Sequence, residues 1–516
     1  VAGDSQRTPT EGGVSGVSGS TPLTSAGGHP NLTADDHAQA RARVGEQIAA
    51  LCQWATTLDA RTLPARVLSQ AVLILGDNIA AMLSAADEPE LRAYHEQLIA
   101  TQGPREATLF RSGAPRVSLA DAAVGNGLSS TWNELDDGYT RTAVHPGALS
   151  QPLILAAAET GRLPISALLR ATVGAYEIGT RFARAWPGTL PRLHPHGVWN
   201  TICATAGLAL LRGYDAVMLQ RALTAAASMA SPGPYSHPIE GALVRNAWPA
   251  AGSWLGIFAC DLARLGIGGT AGGPYDVFTR GLGAPLRADE LTVGLGIEWT
   301  TCDGYHKLYG ACHHSHAAME AIETIFGARP ELRGGERVKA VTVEGSAMAM
   351  NFDNAQPETT LGAKFSIPHA IAATLAHGAG DPANFLDASL RDPAILALRP
   401  RVRLAQLPEV KPWPLDRPAR VTLELDSGER VVASCDAALG SPARPLEADR
   451  VLRKIAELSA RDAPGLQRAV IELRDRIASD RDLDEGPHGS TDRWIASLFF
   501  DGARADSDRA GRVEPA

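Results

Sequence analysis

The stretch Gly266-Ile267-Gly268-Gly269-Thr270-Ala271-Gly272-Gly273-Pro274 divides the chain into two textures. With five glycines and a terminal proline it is a loop, and it reads as a domain junction. Upstream, from about Ala34, the pattern is helical almost throughout. Pro64 opens a helix whose Leu68, Val72, Leu75, Ile79 and Met82 recur at spacings of four and three. Leu153–Glu159, Ser166–Arg181, Asn200–Leu211 and Ala216–Ala227 continue the theme, rich in the small residues that let helices approach closely. Downstream, Val341 and Val343 alternate with polar neighbours. So do Val421, Leu423 and Leu425, before Asp426-Ser427-Gly428 turns the chain into Val431 and Val432, a hairpin signature. Helical periodicity returns at Leu446–Leu458, Leu466–Ile477 and Thr491–Phe500. The expected fold is mainly α: a large all-helical bundle domain (34–275 plus 441–503) and a smaller α+β lid domain (276–440).

Composition narrows the functions. The 516 residues carry 48 Lys+Arg against 57 Asp+Glu, a net charge of -9, and 5 % aromatics. Such a chain lacks the concentrated basic face that nucleic acid or an anionic membrane requires, and the stacking residues of a single-strand binder. The best apolar run, Ala250–Cys260, is too short to span a bilayer. Six scattered cysteines without a Cys-x-x-Cys pair read as reduced thiols in a cytoplasmic protein, and give no triad for an iron–sulfur centre. Residues 1–33 and 504–516, poor in large apolar side chains, are expected to be disordered tails.

Several familiar signals fail. Gly266-x-Gly268-x-x-Ala271 imitates a dinucleotide loop, but helical sequence precedes it where a strand is required. His95-Glu96 is followed by Ile99 where a zinc protease needs its second histidine. The informative feature is the placement of the 14 histidines. His194 and His196 flank Pro195. His306, His313, His314 and His316 crowd one segment with Lys307, Tyr309 and Cys312. This arrangement fits either a zinc site, a set of structurally satisfied histidines, or a cationic, proton-shuttling pocket for a carboxylate. A second cluster, Asn133-Glu134-Leu135-Asp136-Asp137-Gly138, precedes His145-Pro146-Gly147. Acids so close to a histidine can fix its tautomer and basicity, as a general base requires.

Ordered blocks extend these clusters: Asn126-Gly127; Leu135-Asp136-Asp137 to His145-Pro146-Gly147; Ala157-Ala158-Glu159; Ala175-Tyr176-Glu177-Ile178-Gly179; Leu193-His194; and Val244-Arg245-Asn246-Ala247-Trp248-Pro249 leading to Gly256. Lys307-Leu308-Tyr309-Gly310-Ala311-Cys312 to His316-Ala317, Ala363-Lys364-Phe365-Ser366-Ile367-Pro368 and Gly440-Ser441-Pro442 complete them. In this order they resemble the 2-methylcitrate dehydratase/cis-aconitate decarboxylase (MmgE/PrpD) family over roughly Ala40–Leu458. The resemblance implies a helical domain with an α+β lid, a cleft between them, a homodimer, and chemistry with neither metal nor organic cofactor. It implies Asp136 and Asp137 as paired acids, His145 beside them, His194 at the head of an Ala-rich helix, Lys307 as the lid lysine and His316 at the end of its block. Arg245 stands where many members carry Lys, His313 where Arg is common, and His369 where Tyr is common. Together with Tyr309 and His316, these are the expected substrate-binding residues. Glu134 replaces an Asp, and the stretch from Asp137 to His145 is one residue longer than in the cis-aconitate decarboxylase pattern. The expected function is a cofactor-independent lyase on a small hydroxy di- or tricarboxylic acid. His145 is its base, Arg245 and Lys307 hold carboxylates, and His194 or His316 is the acid. An isomerase or epimerase, a decarboxylase, a zinc-dependent hydrolase and a non-catalytic helical scaffold are the rivals.

Overall fold

The computed structural model describes residues 33–189 and 191–500. Except for Thr33, both segments expected to be tails lie outside them. Thr33 itself caps the first helix through a capping box with Asp36. Ten helices follow in the first part of the chain: α1 (Ala34–Thr56), α2 (Ala65–Ser84), α3 (Pro89–Ala100), α4 (Leu119–Ser129), α5 (Pro146–Thr160), α6 (Ile165–Ala185), α7 (Pro195–Leu211), α8 (Ala216–Ser228), α9 (Ser236–Glu240) and α10 (Trp248–Arg264). The lid contributes α11 (His313–Ala328), α12 (Thr360–Lys364), α13 (Ile367–His377) and α14 (Pro393–Leu398). It also holds β1 (Val338–Gly345), β2 (Val402–Gln406), β3 (Ala419–Leu425) and β4 (Arg430–Cys435). Then α15 (Ala448–Ser459), α16 (Leu466–Ala478) and α17 (Thr491–Leu498) return to the helical part.

One apolar core joins α1–α8 and α10 to α15–α17, with Ile79, Leu153, Phe182, Ile202, Val451, Val470 and Trp494 all buried in it. At its centre α2 is long and apolar enough to cross a membrane, yet 83 % of its apolar window is buried. It packs on α15, α16, α5 and α6 as a core helix. The lid has its own core between its sheet and helices, with Ile322, Phe326, Val341, Val343, Leu375, Val421 and Leu423. The sheet order is β2-β1-β3-β4, with β1 and β2 parallel and the remaining pairs antiparallel. The β3–β4 hairpin turns through Gly428 at φ 84°, as its sequence predicts. Strand β2 was not legible, because Val402 and Leu404 are too few to show alternation.

The glycine run at 266–274 is not where the cores change. Tyr275, Phe278, Ala284, Leu291 and Trp299 beyond it are buried in the helical core. Those residues therefore belong with the helical part, and the lid begins later than 276. Gly266–Ala271 is exposed and the run re-enters the core at Gly272–Pro274, and loop composition alone does not tell such an excursion from a boundary. Conversely, Tyr235, Ile239 and Leu243 pack on the lid core. The chain crosses between the parts near His306 and Gly440, where the His306 N–H donates to the Gly440 carbonyl.

Candidate active site

The site is built from three directions. The loop after α4 carries the acids, the first turns of α5 and α7 carry His145 and His194, and the lid supplies Tyr305, Lys307, His313 and Arg417. Pro146 opens α5 at a position where a missing N–H costs nothing. Gly147 follows because a Cβ there would lie 2.3 Å from Asp137 Oδ1 and 2.4 Å from Asn78 Nδ2.

His145 Nδ1 donates to Asp136 Oδ2 at 2.6 Å and also faces the Asp137 carbonyl at 2.9 Å. Two acceptors on one nitrogen place the proton there and leave Nε2 as the basic atom. Burial alone would raise the Asp136 carboxyl, but the Lys307 ammonium and His145 hold it well below the usual range. Lys307 Nζ reaches Glu134 Oε2 at 2.8 Å and Asp136 Oδ1 at 3.3 Å. Those two carboxylates outweigh its burial and keep it charged. The other oxygen of Glu134 accepts from Arg245, whose guanidinium lies 5.2 Å from the centre of the Phe365 ring. Glu134 holds φ 53°, a left-handed conformation uncommon outside glycine that clusters at functional sites.

His194 Nδ1 accepts the His196 N–H at 3.2 Å, so its Nε2 bears the proton. Burial and then Arg245 push both histidines well below the ordinary range, so His194 is a neutral donor. His313 stacks on Tyr305 with ring centres 4.4 Å apart, and Arg417 donates to its Nδ1 at 3.0 Å. His313 therefore carries its proton on Nε2, and burial followed by Arg417 holds it neutral.

Not every expected residue joins this set. Asp137 turns its side chain away, accepting from Asn78 at 2.8 Å, and burial raises its carboxyl to about 6. It contributes its carbonyl to the site, so His145 is oriented by the Asp136 carboxylate and the Asp137 carbonyl, not by the Asp137 carboxylate. His316 donates Nε2 to the Ala311 carbonyl at 3.0 Å behind His313, and does not line the cleft. Tyr309 faces a separate cavity of about 400 Å³ between α2, α15 and the lid. His369 lies inside the lid, its Nε2 2.8 Å from the Asn384 carbonyl and its ring on Phe385. A position in an ordered sequence block does not fix where its side chain points, and Tyr309, His316 and His369 point away from the cleft.

Arg417 and Tyr305 carried no signal in the sequence, and His196 stood in its histidine cluster without a role assigned. Arg417 lies a hundred residues from the histidine segment, and only the return of the lid sheet brings it to the cleft. The run Glu134 to Asp137 did carry a signal for the ionic partner of Arg245. Beneath the cleft, Asp77 of α2 joins His306 Nδ1 at 2.7 Å and Lys454 Nζ of α15 at 2.7 Å, while Lys454 donates to the Leu135 carbonyl. Asp136, His145 and His196 bring potential metal-ligand atoms within 4.8 Å of one another. The Lys307 ammonium already holds Asp136, so positive charge stands where a cation would bind.

A helical domain and a lid that bring a His–carboxylate pair and buried cations together in one cleft have the make-up of an acid–base enzyme site. The chain belongs to the MmgE/PrpD family: it matches the MmgE/PrpD N-terminal domain over residues 49–282 and the MmgE/PrpD C-terminal domain over 309–478. It is 25 % identical over 436 residues to a cis-aconitate decarboxylase of Aspergillus terreus, covering 79 % of this chain and 88 % of that one. It is 28 % identical over 460 residues to the cis-aconitate decarboxylase-like protein oryM of Aspergillus oryzae, covering 82 % and 93 %. The chain is an acid lyase of the dehydratase or decarboxylase type.

Proposed function

We propose that the protein is a cofactor-independent, cytoplasmic, homodimeric lyase that abstracts a proton next to a carboxylate of a small hydroxy acid. The observation that carries this is the 2.6 Å Asp136–His145 contact, with the basic nitrogen of His145 toward the cleft. His145 Nε2 takes the proton from carbon, and the electron pair it leaves passes into the adjacent carboxylate as an enolate-like charge. The surplus positive charge of the cleft, in which Arg245, Lys307 and Arg417 outnumber Glu134 and Asp136, stabilises that charge. The carbon–oxygen bond then breaks, and hydroxide leaves as water on receiving the proton from the His145 imidazolium. His194 Nε2–H, neutral, hydrogen-bonds the departing oxygen, a donor's part rather than the acid role expected of it.

A second reading is supported by the relatives' names: the same electron flow, started by carbon–carbon cleavage, releases carbon dioxide. Turnover of hydroxy di- and tricarboxylates in light and deuterated water separates the outcomes. Loss of water, loss of carbon dioxide, and deuterium entry without mass loss identify dehydratase, decarboxylase and epimerase. His145→Asn should lower kcat by about 10²–10⁴, with folding intact by circular dichroism. Full turnover by that variant would remove His145 as the base.

A further inference from the structure

Around the cleft the charged groups are Arg245, Lys307 and Arg417 against Glu134 and Asp136. Both cations expected to hold substrate are already occupied. Arg245 pairs with one oxygen of Glu134, and Lys307 with the other and with Asp136. Glu134 is buried, 2 % exposed, so these pairs act with little screening. Arg417 differs: within the cleft it meets only neutral His313. Its remaining carboxylate neighbour, Asp416, is 3.6 Å away, 36 % exposed and therefore screened. Among the described residues the His313 Nε2–H is buried without a hydrogen-bond partner, and Nε of Arg417 also makes no hydrogen bond, Asp416 Oδ2 standing 3.6 Å from it, which leaves two donors on adjoining side chains of the cleft wall. The space between the side chains is about 40 Å³, so an acid enters by parting the lid and meets whatever charge the walls retain.

From this arrangement we infer that Glu134 fills the place of a substrate carboxylate, and that the site takes acids with one or two carboxylates, anchored by Arg417 and His313, in preference to three. Three cations against two anions leave one positive charge, or two when His145 is protonated. A monoanion or dianion balances that charge. A trianion leaves uncompensated negative charge in a buried cleft, beside Glu134 itself. The inference rests on the acid-lyase reading and departs from the tricarboxylic substrate in the relatives' names.

The test is calorimetric titration of the full-length protein with L-malate, citrate and cis-aconitate at fixed pH and ionic strength. Malate should bind at least about tenfold tighter than either tricarboxylate. Arg417→Ala should lose about tenfold of the malate affinity. Glu134→Gln, which frees Arg245 and leaves Lys307 with Asp136 alone, should reverse the order in favour of the tricarboxylates. A tricarboxylate bound tightest by the unaltered protein overturns this inference alone. An unchanged order in folded Glu134→Gln does the same. Failure of every acid to bind, with no turnover, sinks the lyase reading together with it.

Discussion

Asp136 and Asp137 are neighbours with opposite fates. Asp136 faces the Lys307 ammonium and the His145 N–H and stays ionised, whereas Asp137 is buried against the side chains of Asn78 and Tyr176. The raised pKa of Asp137, about 6 against an ordinary 3.8, means the native state keeps a proton that the unfolded chain has released between those values. The stability from that proton is complete below pH 4 and is lost as pH rises through 6, by up to ~3 kcal/mol. Asp137→Asn should flatten this part of the stability profile, read by urea unfolding between pH 4 and 8. An unchanged slope would show that Asp137 ionises freely in the fold. The sequence placed both acids beside His145 but did not tell them apart, because the distinction lies in what each side chain meets across the fold.

At the level of elements, the cleft depends on two crossings between the helical part and the lid. Gly440 lies on one of them, with φ 94°, and a Cβ there would stand 2.1 Å from the His306 carbonyl oxygen. That carbonyl belongs to the residue before Lys307, so any shift moves the lid lysine. Gly440→Ala should therefore destabilise by about 1–3 kcal/mol and lower kcat more than it raises KM. Unfolding midpoints and steady-state kinetics check this, and an unchanged midpoint counts against it. The helices α2, α5–α8 and α15–α17 and the β3–β4 hairpin were legible from periodicity and turn residues, and the Gly440-Ser441-Pro442 block only through the family resemblance. What these elements pack against was not, and the 266–274 loop shows the gap between composition and contact.

Across the whole molecule, α10 and the Leu265 that caps it carry an apolar face turned outward, with Trp254 56 %, Phe258 49 % and Leu265 75 % exposed at spacings of four and seven. Large apolar side chains aligned on one helix face mark an association surface, and a second copy of the chain is the occupant the homodimer proposal assigns to it. Multi-angle light scattering should give twice the 54.2 kDa chain mass. The double variant Trp254→Asp, Phe258→Asp should shift it to the monomer mass. A monomer in the unaltered protein would rule the dimer out.

The sequence by itself determined the two textures, most helix positions, the acid–histidine pairing and the family, because these are written in local periodicity and in short ordered blocks. Only the tertiary structure decided which polar groups of those blocks face the cleft. It withdrew Tyr309, His316 and His369, brought in Arg417, and spent Arg245 and Lys307 on Glu134. The reason is physical: a side chain's charge is fixed by its type, but its availability is fixed by the partner that folding sets against it.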